Sequence, residues 1–153
     1  MGTILCPTRG GEASKANQDR AISLAKERGE ELVFLYVSDV QFLDKGSAAH
    51  LGSLEANLDE MGEFLLIMAQ ERAEKQGVKA DLEVRRGAFI EALQEVIEAH
   101  GVTTVVFGTP GEDHRVTTEE YLHTLADNLV KDKGIEVMMT RGDELIRHSG
   151  AKD

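Results

Sequence analysis

The chain has 153 residues, of which 28 are acidic and 17 basic, for a net charge of -11. That length suits one domain whose core needs no disulfide or metal to hold it, and a single cysteine, Cys6, allows no internal disulfide. The charge argues against nucleic acid, which is held mostly by Lys and Arg, and against an anionic membrane face. No window approaches the roughly 18 continuous apolar residues of a membrane span, so no membrane insertion and a cytoplasmic location are expected.

In chain order, Thr3 to Pro7 is an apolar run of strand length, broken by Thr8-Arg9-Gly10-Gly11. A helix is expected from about Ala13 to Arg28, with Ala21, Leu24 and Ala25 on one face and Gly29 closing it. Leu32 to Val37 is continuously apolar, as a parallel strand covered on both faces requires. A polar loop over 38–49 leads into the longest helix, about His50 to Gln76. There Leu51, Leu54, Leu58, Met61, Leu65 and Met68 recur at spacings of three and four, which reads as a core stripe.

Val78 to Arg85 alternates apolar and charged residues and reads as a half-exposed edge strand. A third helix covers Phe89 to His100, turning Ile90, Leu93 and Ile97 inward. Thr103 to Phe107 is β-branched and apolar, hence a central strand. Gly108-Thr109-Pro110-Gly111 breaks it, and a polar loop runs to Thr117. A fourth helix is expected over Thr118 to Lys131, and a last strand over Ile135 to Thr140. Residues 1–140 therefore read as one α/β domain of five strands and four helices around a parallel sheet, and 141–153 as a polar, frayed C-terminal tail.

Ligands of such sheets bind beyond the carboxyl ends of the strands, where the strand order reverses. Two breaks have the composition for that place: Pro7-Thr8-Arg9-Gly10-Gly11 and Gly108-Thr109-Pro110-Gly111. Both end in glycine, so backbone N–H groups can approach an anion closely. Arg9 is a candidate for a phosphate or carboxylate, or else a surface residue paired with one of the many carboxylates. His114 is the one histidine placed near this cleft, and reads as a solvated loop residue. The five histidines show no metal-like spacing. Phosphate-loop, dinucleotide-fold and nucleophile-elbow motifs are missing. Cys6, inside its apolar run, reads as a small core residue.

These features together resemble the universal stress protein family over about residues 3 to 140. The resemblance is carried by Ile4-Leu5-Cys6-Pro7-Thr8, by Gly10-Gly11-Glu12-Ala13-Ser14 entering the first helix, by Gly87, and by Val105-Val106-Phe107-Gly108-Thr109-Pro110-Gly111. It implies a single-domain three-layer sandwich with strand order 3-2-1-4-5, in which both glycine breaks flank one cleft. Many members bind ATP there through Gly, two residues, Gly, nine residues, then Gly and Ser or Thr. Gly108 and Gly111 match the first half, but nine residues on the chain reads Tyr121-Leu122. Arg9 also stands where the family usually has an Asp. The nearest hydroxyls, Thr117 and Thr118, are followed by Glu119 and Glu120, a capping box whose carboxylates oppose a triphosphate.

The leading expectation is thus a non-enzymatic regulatory protein of stress response with a degenerate ATP loop and no bound cofactor. The resemblance further implies a homodimer paired through the last strand, Ile135 to Thr140. The alternative is an adenine-nucleotide binding module for AMP, ADP or ATP with at most slow hydrolysis, using Pro7, Thr8, Arg9, Val37, Gly108, Gly111, Thr117 and Thr118. A third reading makes the long helix and the 38–49 loop a contact surface for a protein partner.

Overall fold

The computed structural model describes residues 2–8, 12–38, 48–108, 119–141 and 144–150. The elements in order are β1 (Thr3–Pro7), α1 (Glu12–Arg28), β2 (Glu31–Ser38), α2 (Ala48–Lys75), β3 (Ala80–Arg86), α3 (Phe89–His100), β4 (Thr104–Gly108), α4 (Glu119–Asn128), a π-helical turn (Leu129–Lys133), β5 (Glu136–Arg141) and β6 (Glu144–Ser149). The alternation of strand and helix follows the change from continuous apolar runs to helical spacing along the chain. Gly101 and Gly134 end two helical segments at φ 64° and 65°, the left-handed region that a side chain disfavours.

One sheet has the order β3-β2-β1-β4-β5-β6. β1 pairs in parallel with β2 and β4, β2 with β3, and β4 with β5. The sheet thereby contains the expected 3-2-1-4-5 order. Successive residues of each inner strand point to opposite faces, and both faces are covered. Ile4, Cys6, Phe34, Tyr36, Val106 and Met138 pack with Ala21, Ile22 and Ala25 of α1 and Leu66, Ala69 and Ala73 of α2. Leu5, Leu35, Val105, Phe107, Val137 and Met139 pack with Leu93, Val96 and Ile97 of α3 and Leu125 and Ala126 of α4. The sheet is the middle layer of three.

Three expectations change. Residues 144–149 are not a frayed tail but a sixth strand, antiparallel to β5. Two forces place it there. The open edge of β5 offers unpaired backbone groups, and the β6 side chains are held. Arg147 donates to Asp127 Oδ1 at 2.5 Å and to the His123 carbonyl at 3.2 Å, while His148 Nε2 lies 2.6 Å from Glu136 Oε2. Met139 pairs with Arg147 and Thr140 with Leu145, which leaves Ile146 as the extra residue of a bulge. As a consequence β5 is an inner strand, and the expected dimer contact along Ile135–Thr140 is closed by β6. Ile135, Val137 and Met139 are all buried within the chain itself.

The third change concerns α2. Its buried face is Gly62, Leu66, Ala69 and Ala73, with Leu65 half-buried and Met68 exposed. The side chains of Leu51, Leu54, Leu58 and Met61 lie outside the described residues. Small residues on this face let the helix lie close to β2. A Cβ on Gly62 would sit 2.2 Å from Cδ2 of Tyr36. The 38–49 loop expected as part of a contact surface lies outside the described residues between 39 and 47.

Candidate functional site

β1 and β4 are neighbours, and the crossovers from them run in opposite directions across the sheet. Their carboxyl ends, Pro7 and Gly108, therefore border the crevice that such a reversal creates. Pairing of β1 with β4 covers Ile4 and Leu5 against Thr104 and Val105, whereas β1 continues against β2 to Pro7 and Leu35. Where the β1–β4 ladder ends, a side chain from α1 takes over. Asn17 Nδ2 donates to the Val106 carbonyl at 3.0 Å and to Cys6 Sγ at 3.4 Å. Its Oδ1 accepts from Thr140 Oγ1 at 3.0 Å. Asn17 thus ties β1, β4 and β5 together beneath the crevice, and it is almost wholly buried.

A second chain of hydrogen bonds lies beside it. Gln18 Nε2 donates to Thr8 Oγ1, and Arg72 Nη2 of α2 donates to Gln18 Oε1 at 2.6 Å. Arg72 Nε reaches Asp19 at 3.3 Å. The Thr8 amide donates to the Leu35 carbonyl at 2.8 Å. The buried members, Thr8 and Gln18, are thereby satisfied, as low-dielectric surroundings require.

The candidate ligand-binding residues fall into two sets. Pro7, Thr8, Val37 and Gly108 are brought to the carboxyl end of the sheet. Pro7, Val37 and Gly108 are half-buried, while Thr8 is buried with its hydroxyl engaged by Gln18. A Cβ on Gly108 would lie 3.3 Å from Cβ of Asn17, so glycine there lets the end of β4 close on α1. Arg9, Gly111, Thr117, Thr118 and His114 lie outside the described residues, and α4 begins at Glu119.

Cys6 sits fully buried in the floor. Burial pushes its thiol up from the ordinary value, with the charge of Arg72 opposing that push. The neutral thiol donates to the Pro7 carbonyl at 3.8 Å. A thiol in that state packs rather than attacks. Among the described residues no three or more His, Cys, Asp and Glu side chains gather into a metal site.

A second polar cluster closes the opposite end of the sheet. Glu136 takes two hydrogen bonds from Arg28, at 2.6 and 2.9 Å, one from Thr104 Oγ1 at 2.9 Å, and contacts His148. The Arg28 hydrogen bond outweighs burial, and with His148 and Thr104 it holds the Glu136 carboxyl down at about 2. This cluster joins α1, β4, β5 and β6, far from the crevice mouth, so its role is to fasten the fold.

Sequence reasoning did not single out Asn17, Gln18, Arg72 or Thr140. The signal was present for the first two. Asn17 and Gln18 precede Ala21 and Ile22 by four residues, so they share the buried face of α1. Polar residues on an apolar helix face imply buried partners.

The sequence pattern of the Universal stress protein family matches residues 1–141. A universal stress protein of Methanocaldococcus jannaschii is 27% identical over 141 residues, covering 90% of this chain and 81% of that protein. Among solved structures, the universal stress protein UspA of Lactobacillus plantarum superposes with a TM-score of 0.73 at 19% identity, over 92% of this chain and 97% of that one. A member from Burkholderia pseudomallei gives 0.70 at 24% identity, over 91% and 95%. A universal stress protein in complex with cAMP gives 0.60 at 17% identity, over 92% and 97%. Along all described residues, no helix is long and apolar enough to cross a membrane.

Proposed function

The chain belongs to the universal stress protein family, and from that premise we propose that it is a non-catalytic regulatory protein of stress response. The observation that carries this reading is the state of the crevice floor. Asn17 is engaged by Cys6, Val106 and Thr140, Gln18 by Thr8 and Arg72, and the Cys6 thiol is neutral. Groups held this way keep a scaffold rigid and hold no proton poised for transfer. The degenerate loop supports it too, since Tyr121-Leu122 replaces the expected glycine and hydroxyl and Arg9 replaces the acid. Incubation with ATP, followed by phosphorus NMR, is expected to show no turnover. Release of ADP or AMP in proportion to added protein would overturn the assignment.

The second reading, an adenine-nucleotide module, is favoured by the crevice itself and by a structural relative solved with cAMP. The residues fit in part. Val37 supplies an apolar wall, Gly108 a backbone without a side chain, and Pro7 a rigid strand end, while the Thr8 hydroxyl must leave Gln18 before it can serve a ligand. Arg9, Gly111, Thr117 and Thr118 complete the set by sequence. Titration calorimetry with ATP, ADP, AMP and cAMP separates the two readings. No heat at millimolar ligand sinks the second.

A homodimer and a cytoplasmic location are both part of the proposal. With β5 enclosed, the sheet edge available to a second copy on that side is β6, where Leu145 is 39% exposed. Sedimentation equilibrium at tens of micromolar is expected to show two chains, and a single-chain mass would remove this part.

A further inference from the structure

The described surface carries one concentrated apolar ridge. Phe64, Ile67 and Met68 are 63%, 47% and 45% exposed. They are spaced by three and four residues, so they stand together on the outer face of α2, opposite Leu66, Ala69 and Ala73. A contiguous group of exposed apolar side chains such as this often serves as a contact site. Among the described residues, the buried face of α2 is formed by Gly62, Leu66, Ala69 and Ala73 without them.

The charges around the ridge select its occupant. Among the described residues of α2, Glu60, Glu63, Glu71 and Glu74 are exposed around the ridge together with Lys75, while Arg72 at its flank is engaged by Asp19 and Gln18. A second copy laid on this ridge would set carboxylates against carboxylates, and an anionic bilayer would be repelled in the same way. A ridge with three- and four-residue spacing fits the groove side of another helix. We propose that the outer face of α2 docks a basic amphipathic helix of a partner protein, whose apolar stripe covers Phe64, Ile67 and Met68 and whose Lys or Arg residues meet the surrounding glutamates. Phe64 is the anchor and Met68 the adaptable contact.

The probe is a fluorescein-labelled 14-residue peptide of leucine and lysine arranged at helical spacing, read by fluorescence anisotropy on the full chain. Saturable one-to-one binding is expected. It should weaken at least tenfold in the Phe64→Ser/Ile67→Ser variant, and severalfold in Glu63→Lys/Glu71→Lys, which leaves the apolar ridge untouched. A peptide with glutamate in place of lysine should not bind, and a scrambled peptide of the same composition should bind at least tenfold more weakly. Circular dichroism melts verify that each variant is folded, and Met68→Ser replaces the double variant if that one is not. Unchanged affinity across the variants, or equal binding of the scrambled peptide, overturns the proposal. So does self-association that Phe64→Ser abolishes, which would assign the ridge to a second copy, or binding to anionic vesicles that the same substitution removes.

Discussion

Asn17 shows how much one side chain can hold when it replaces a stretch of sheet. Its amide donates to β1 and β4 at the point where their pairing ends, and its oxygen accepts from β5. Asn17→Leu keeps the branched outline of the side chain, with somewhat more bulk, and leaves the Val106 carbonyl without that donor. Thr140 retains the Phe107 carbonyl at 3.3 Å, so the loss centres on Val106. An unsatisfied buried carbonyl costs about 1–3 kcal/mol, and a urea midpoint lowered by that amount with unchanged slope is the expected result. Glu136 gives a residue-scale prediction with a pH signature. Its folded carboxyl titrates at about 2, against an ordinary 4.5. A depressed carboxyl stabilises the fold fully above the ordinary value and ceases to do so as pH falls toward the folded one. The stability gap between wild type and Glu136→Gln should therefore be on the order of 2 kcal/mol at neutral pH and close between about pH 4.5 and 2. Urea denaturation repeated across that range reads it, and a gap of constant size down to pH 2 contradicts the assignment of the shift to Arg28.

At the scale of elements, α2 and β6 are where sequence and structure part. The leucines and methionines of α2 have a clear helical period, which made the helix itself legible. They did not reveal which face is buried, because contact with β2 is decided by closeness of approach. Gly62, Ala69 and Ala73 allow that approach, while Met68 turns outward. β6 was illegible for a different reason. Glu-Leu-Ile-Arg-His-Ser lacks alternation, and its pairing depends on the vacant edge of β5 and on Arg147 and His148 meeting residues that are 24 and 12 positions away. The inner strands, continuous in apolar residues, needed no such distant information. Gly62 yields the element-scale test. In an exposed helix, Gly→Ala stabilises by roughly 1 kcal/mol. Here the added methyl meets the Tyr36 ring at 2.2 Å, and overpacking of a core costs typically about 1–3 kcal/mol. Gly62→Ala is expected to lower the thermal midpoint despite the better propensity, and a raised midpoint would mean that α2 rides farther from β2.

For the molecule as a whole, the place of the crevice was legible and its floor was not. Apolar runs broken by glycine at Pro7–Gly11 and Gly108–Gly111 marked the two strand ends, and the strand order brings the described ends, Pro7 and Gly108, side by side. Asn17 meets its partners Val106 and Thr140 across 89 and 123 residues, a juxtaposition that no local pattern encodes. The same global view weighs the charge of -11. Self-repulsion of the excess carboxylates favours expansion, and dissolved salt screens it within about 10 Å at 0.1 M. Salt also weakens exposed pairs such as Arg72–Asp19 and Lys133–Glu98, but each of these contributes only about 0–1 kcal/mol. In the Arg28–Glu136 pair the carboxylate is only 11% exposed, so this pair is screened less. Repulsion summed over the surface should therefore win. Raising sodium chloride from 10 to 500 mM is expected to raise the thermal midpoint measured by calorimetry at pH 7. A midpoint that falls with salt would show instead that ion pairs outweigh the net charge in holding this fold.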